Sequence, residues 1–254
     1  IALHYGNPWQ EQEVALSGTV FTDLSHLGVI AVHGTDAQSF LQSQLGNDIN
    51  ALDSGHSQLS SYCTPKGRML GLFRVFRTED SFYLRLPADT LDAVLQRLRM
   101  FVLRADARLE DASEAFVRIG VAGRKAADML AAVAGQAVPG EVNAVTRAAD
   151  LTILRVPGVQ PRFEVYAASI DAAKDLWDAL NVDAAPVGMS AWRLLEILSG
   201  LPRGPGQSVL LVDGTGRVMH GGGESAETVP LADLLADADS KVREYSNSAG
   251  VHVI

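Results

Sequence analysis

The segment IAVHGTDAQSFL at 30–41 returns later in the chain as IGVAGRKAADML at 119–130, with identity at Ile30/Ile119, Val32/Val121, Gly34/Gly123, Ala37/Ala126 and Leu41/Leu130. Each copy alternates apolar residues as a strand does, turns at a glycine, and then spaces its apolar residues three and four apart as a helix does. A second echo follows in the same order: FYLRLPADTLDA at 82–93 is matched by FEVYAASIDA at 163–172, again a strand running into a helix. Two echoes in one order predict a duplicated unit. With further strands expected at 57–63, 69–77 and 151–156, the chain reads as α+β. Two units with antiparallel sheets would pack about a pseudo-two-fold axis, and the cleft between such units is a favoured place for a ligand.

The texture changes after MSAWRLLEILSGLP at 189–202, which reads as a helix stopped by Gly200 and Pro202. RGPGQSVLLVDGTGRVMHGGG has short β-like runs between glycine turns, and a helical or loop segment is expected near LADLLADADSK. The expected domains are therefore 1–112 and 113–202, the two α+β units, and 203–254, a small β-rich domain.

Charge and composition narrow the function. A net charge of −9 repels phosphate backbones and anionic lipid, so neither direct nucleic-acid binding nor membrane coating is expected. No apolar run approaches the length of a membrane span, and IALHYGNPWQ is not a signal peptide, which predicts a cytoplasmic protein. One cysteine and six histidines without an H-x-x-x-H spacing predict no structural metal. No serine sits in a G-x-S-x-G elbow, and GTGRVMHGGG lacks the Lys-Ser/Thr of a phosphate loop and reads as a hairpin turn.

Within SSYCTPKGRMLGLFRVFR two features stand out. Cys63 is either a reactive thiol helped by Lys66 and Arg68 or a half-buried strand cysteine. Lys66 and Gly67 are either a solvated hairpin tip or a basic turn facing an anionic ligand.

Taken together, VIAVHGTDAQSFLQSQLGNDI (29–49), YCTPKGRM (62–69) with FRVFR (73–77), LDAVLQRLRMF (91–101) and AWRLLEILSGLP (191–202) resemble the YgfZ-type folate-binding proteins. These are relatives of the glycine-cleavage T-protein, an aminomethyltransferase, and of mitochondrial iron-sulfur assembly factors. The resemblance spans roughly residues 20 to 202. It implies a three-lobed ring of two ferredoxin-like units and a C-terminal β-barrel-like domain, with tetrahydrofolate or a derivative at the central face. It also assigns candidate folate-binding residues: Trp192 stacking on the ring, Glu196 near it, and Lys66, Gly67 and Arg74, with Arg77, toward the anionic tail.

Departures from the family pattern are equally informative. The aspartate that serves aminomethyl chemistry is matched by Leu72, the pterin-gripping glutamate by Leu198, and a second tryptophan by Leu27. No catalytic residue is therefore assigned. The family's K-G-C-Y-x-G-Q-E signature is missing between SGLP and RGPGQ. The abrupt junction there and the lack of an initiator methionine favour a longer natural chain over a lost loop. The expected role is a non-catalytic folate-binding accessory protein that supports iron-sulfur cluster assembly or repair and, through iron-sulfur proteins as partners, tRNA modification. The alternatives are a folate-dependent aminomethyl- or methyltransferase, and a protein-interaction module that has lost folate.

Overall fold

Asn7 opens the first helix, α1 (Pro8–Ser17): its side-chain oxygen accepts from the N–H groups of Trp9 and Gln10 at 3.1 and 3.4 Å, and Pro8 presets the first turn. The computed structural model describes residues 1–200 and, beyond them, the short strand pairs Leu211–Val212 with Val218–Met219 and Tyr245–Ser246 with His252–Val253. The expectations for the rest of 203–254, LADLLADADSK included, lie outside the described residues.

After α1 come β1 (Thr19–Asp23), β2 (Leu27–His33), α2 (Ala37–Gln44), β3 (Ser57–Cys63), β4 (Met69–Arg77), β5 (Ser81–Pro87), α3 (Ala88–Arg99) and β6 (Arg108–Asp111). Then follow β7 (Val117–Gly123), α4 (Ala126–Ala134), β8 (Val145–Ala148), β9 (Leu151–Val156), β10 (Arg162–Ala167), α5 (Ile170–Asp183), β11 (Ala185–Pro186) and α6 (Met189–Leu198). The strands expected at 57–63, 69–77 and 151–156 are β3, β4 and β9, and the helix expected from 189 is α6. Residues 1–200 are thus α+β, with two sheets and six α-helices.

One sheet has the order β3-β4-β5-β2-β6 and the other β8-β9-β10-β7-β1-β11. The first four strands of each list follow one connection scheme. The strand that precedes each set is exchanged: β1 leads into β2 but pairs with β7, whereas β6 leads into β7 but pairs with β2. All pairings are antiparallel except β1 with β11. At the opposite edge, β3 and β8 are joined through backbone bonds from Ser57 N–H to Asn143 O and from Val145 N–H to Gly55 O, both 2.7 Å.

The five identities noted in the sequence occupy equivalent places. Ile30, Val32, Ile119 and Val121 are buried in β2 and β7, Ala37 and Ala126 begin α2 and α4, and Leu41 and Leu130 are fully buried. Gly34 and Gly123 have φ of 113° and 131°, a region that disfavours any side chain. A Cβ on Gly34 would strike the backbone of Asp106, just before β6; one on Gly123 would strike Gly18 and Thr19, at the start of β1. Each glycine therefore admits the exchanged strand at close range.

Strand alternation then sends two sets of side chains to two different interiors. Ile30, Val32, Phe73, Val75, Leu84 and Leu86 pack under α2 and α3. Ile119, Val121, Ile153, Phe163 and Val165 pack under α4 and α5. The other faces of both sheets meet each other: Val29 and Phe76 of the first sheet share a cluster with Leu154, Val156 and Tyr166 of the second. Helices α1 and α6 close part of this inner space around Val20, Leu24, Leu27, Ala122 and Trp192.

Candidate functional site

Inner-facing positions of β5 and β10 carry charge. Arg85 grips Glu164 across the two sheets, Nε to Oε2 at 3.2 Å and Nη2 to Oε1 at 2.6 Å, and the Tyr166 hydroxyl donates to the same carboxylate at 3.0 Å. Burial alone would push the Glu164 carboxyl up; the charges of Arg85, Arg74 and Arg162, with the Tyr166 hydroxyl, more than offset this and hold it below its ordinary value. Burial and the neighbouring Glu164 raise the Tyr166 hydroxyl, so it serves as a donor.

Two further arginines flank the pair. Arg74 lies opposite Arg85 in the β4–β5 register and has no exposed surface; its Nη1 donates to Ser57 Oγ at 3.1 Å and Asn143 Oδ1 at 3.0 Å. Burial brings its guanidinium down to about 10. Arg162, two residues before Glu164 on the same strand, is 1% exposed and lies with its guanidinium carbon 5.3 Å from the Trp192 ring centre. Burial lowers it as well. Trp192 sits against Gly120 of β7, where an added Cβ would come within 2.6 Å of the indole, so only glycine leaves room for the ring. Glu196, one turn further along α6, acts electrostatically on both Arg162 and Arg85.

His26, in the turn between β1 and β2, completes the group. Its pKa falls from 6.5 to about 4, through burial first and then the charges of Arg193 and Arg85. The unfolded chain takes up a proton between these values that the folded chain refuses. Stability is therefore fully present above pH 6.5 and declines as pH falls toward about 4, by about 3 kcal/mol in all. Urea unfolding across that window should show this slope, and His26→Gln should flatten it; an unchanged slope would mean that other groups carry it.

Of the residues singled out in the sequence, Trp192, Arg74 and Glu196 gather around the Arg85–Glu164 pair. Lys66 and Gly67 do not. They form the exposed β3–β4 turn, closed by bonds from Gly67 N–H to Thr64 O and Thr64 N–H to Arg68 O at 2.8 Å, with Gly67 at φ 77°. Five residues of extended strand separate Met69 from Arg74, roughly 17 Å. Cys63 ends β3 exposed to solvent, its thiol 3.8 Å from Ser61 Oγ, which corrects the half-buried reading. Arg77 is tied locally, over the Phe82 ring at 4.7 Å and bonded to Thr78 O. Leu27 is buried beside Trp192, Leu72 is half-buried, and Leu198 is 40% exposed.

Arg85, Arg162, Glu164, Tyr166 and His26 were not singled out from the sequence. For the strand residues the signal was there, one charge inside FYLRL and two at alternate positions of RFEVY, and it fits a solvent face equally well; His26 had none. Buried donors without a protein partner in this group are Arg74 Nε and Nη2, Arg162 Nε and Nη1, and the Trp192 indole N–H; His26 Nδ1 is also unpartnered. The cluster is thus rich in hydrogen-bond donors and positive charge, suited to an acceptor-bearing or anionic ligand. Among the described residues no group of three or more His, Cys, Asp or Glu side chains is placed to hold a metal ion, and no helix is long and apolar enough to cross a membrane.

Residues 8–199 match the family model described as the GCVT N-terminal domain. A tRNA-modifying protein YgfZ from Colwellia psychrerythraea is 26% identical over 188 residues, covering 74% of this chain and 56% of the relative. An aminomethyltransferase from Exiguobacterium sibiricum is 32% identical over 192 residues, covering 71% of this chain and 52% of the relative. The chain thus spans about half the length of these curated relatives. In fold it is similar to the glycine cleavage system aminomethyltransferase T from Bartonella henselae, with a TM-score of 0.69 at 24% identity over 78% of this chain and 55% of the other.

Proposed function

Because the chain belongs to the GCVT N-terminal domain family, we propose that it is a folate-binding accessory protein that holds its ligand at the inner cluster around Trp192 and does no chemistry of its own. The observation that carries this reading is the set of buried, unpartnered donors: Arg162, the Trp192 indole and Arg74 offer N–H groups to an interior that holds few acceptors. A pterin supplies ring and carbonyl acceptors, and a folate tail supplies carboxylates. The donor set fits such a molecule.

In this reading Trp192 is the ring platform. The Arg162 guanidinium that now lies over it would yield its place to the pterin and pair with an acceptor atom. Glu196 supports the positive charge of Arg162 against its burial, Arg74 meets the ligand's anionic part, and Lys66 and Gly67 guide the anion from the hairpin tip. Tetrahydrofolate, when bound, carries the one-carbon unit, and the protein orients it. Leu72 holds no proton, which is why aminomethyl transfer is not proposed. The two sheets are read as duplicated ferredoxin-like units, 1–112 and 113–202. The physiological role proposed is support of iron-sulfur cluster assembly or repair in the cytoplasm and, through iron-sulfur proteins, of tRNA modification. The YgfZ relatives, named as tRNA-modifying, support that last step.

The 1% exposure of Trp192 favours a second reading, a protein-interaction module without folate. Titration with tetrahydrofolate separates the two, following tryptophan emission in the wild type and in Trp192→Phe, with calorimetry alongside. Saturable micromolar binding that weakens at least tenfold in the variant is expected. Absence of binding up to millimolar ligand would overturn the folate reading and select the interaction module.

A further inference from the structure

Two arginines stand side by side on the inner face of the first sheet, Arg74 and Arg85, opposite each other in register. Arg85 spends the edge formed by Nε and Nη2 on Glu164, one nitrogen to each carboxylate oxygen. Arg74 is anchored by its other nitrogen: Nη1 donates to Ser57 Oγ and Asn143 Oδ1, while Nε and Nη2 are buried and have no partner. The same edge that meets a carboxylate on Arg85 meets no protein acceptor on Arg74.

The anchor is rigid. Asn143 sits at φ 70°, its N–H bonded to Arg155 O at 2.8 Å and its carbonyl to Ser57 N–H at 2.7 Å, so the group that orients Arg74 is itself pinned at the junction of the two sheets. Charge points the same way. The chain carries a net −9, yet Arg74, Arg85 and Arg162 crowd the carboxylate of Glu164, the one buried acid among the described residues. A planar fork held open beside surplus positive charge matches the two oxygens of a carboxylate or a phosphoryl group.

We propose that the Nε/Nη2 edge of Arg74 is a binding subsite for an oxyanion, carboxylate or phosphate, enclosed between the two sheets. It deepens the folate reading, in which Arg74 meets the ligand's anionic part, and rests on that reading only for one of its two sources: either a folate's glutamate carboxylate or a free inorganic anion would satisfy the fork. Arg74 is fully buried, with Tyr166 acting on it electrostatically, so the edge lies in low dielectric, where such a pair is stronger than in water.

The test uses the whole protein with 15N-labelled arginine. Sodium phosphate and sodium acetate are titrated separately at constant ionic strength made up with chloride, and the buried Nε–H resonances are followed together with the thermal midpoint. A saturable shift of the Arg74 Nε–H signal and a rise in midpoint are expected with at least one of the two anions. Arg74→Lys keeps the charge but not the fork and should weaken the midpoint response at least tenfold in apparent affinity. If that variant does not fold, the wild-type Nε–H titration decides alone. A wild type that responds to both anions no more than to chloride, or a folded Arg74→Lys that responds equally, overturns the subsite. Tetrahydrofolate and 6-methyltetrahydropterin, which carries no carboxylate, separate the sources. If the glutamate carboxylate is the occupant, phosphate competes with the former and the latter leaves the signal unmoved. If a free anion is the occupant, neither competes. Failure of folate to bind leaves the phosphate and acetate readouts intact.

Discussion

Glu164→Gln is expected to destabilise the protein by about 3 to 5 kcal/mol, the cost of leaving a buried ion unpaired. Glutamine still accepts a hydrogen bond, so the loss reports charge rather than shape. Glu164 is the carboxylate against which Arg85 is forked, and it also offsets the desolvated Arg74 and Arg162. Its removal leaves three guanidinium groups facing one another. Arg85→Met added to Glu164→Gln should recover part of the loss, because a buried pair deleted together costs less than either half deleted alone. Urea unfolding measures both. The acid side gives a second check: a carboxyl held low in the folded state stabilises above its unfolded pKa, and that stabilisation is lost as pH falls through the lower folded value. The wild type should therefore approach the variant in strong acid. A loss below about 1 kcal/mol would place the pair in the range of solvated surface bridges and deny it a role in joining the sheets.

What could be read from the sequence was local. Gly34 and Gly123 announce themselves because a backbone at positive φ excludes a side chain, and their partners Ala37, Ala126, Leu41 and Leu130 fall at fixed helical spacing behind them. Strand limits at 57–63 and 69–77 were legible from alternation and the intervening Pro-Lys-Gly turn. Alternation states that a strand has two faces, however, and not what covers the second one. In FYLRL and RFEVY the charges at Arg85 and Glu164 fit a solvent face as well as a buried one; the packing of one sheet on the other is what buries them. The residues that gather at Trp192 come from β4, β5, β7, β10 and α6, and their meeting depends on which strands pair across the chain. No local pattern encodes that choice, and the same holds for the exchange of β1 and β6.

Deletion of residues 1–24 is expected to abolish cooperative unfolding, although the chain would keep every residue of the candidate site except the strand that frames it. β1 pairs along its whole length with β7, from Thr19 opposite Gly123 to Asp23 opposite Ile119, and β11 joins the sheet through β1. Its side chains serve both interiors: Phe21 packs edge-on against Trp177 at 4.7 Å in the outer core, whereas Val20, with Leu24 just after the strand, packs with Trp192 on the inner side. Losing the burial of these three side chains removes about 6 kcal/mol, which is comparable to the whole stability of an ordinary domain. The truncated chain should bind a hydrophobic dye and lose near-ultraviolet circular dichroism while keeping much of its far-ultraviolet signal, since the strands β2 to β6 retain their partners. A peptide of residues 1–26 added in trans should restore the transition, because β1 and β2 are joined by a short turn while their hydrogen bonds belong to different sheets. A truncated chain that unfolds cooperatively at the wild-type midpoint would show that β1 is an ornament on a self-sufficient second sheet, and would remove the exchange of strands as the reason why Gly123 must be glycine.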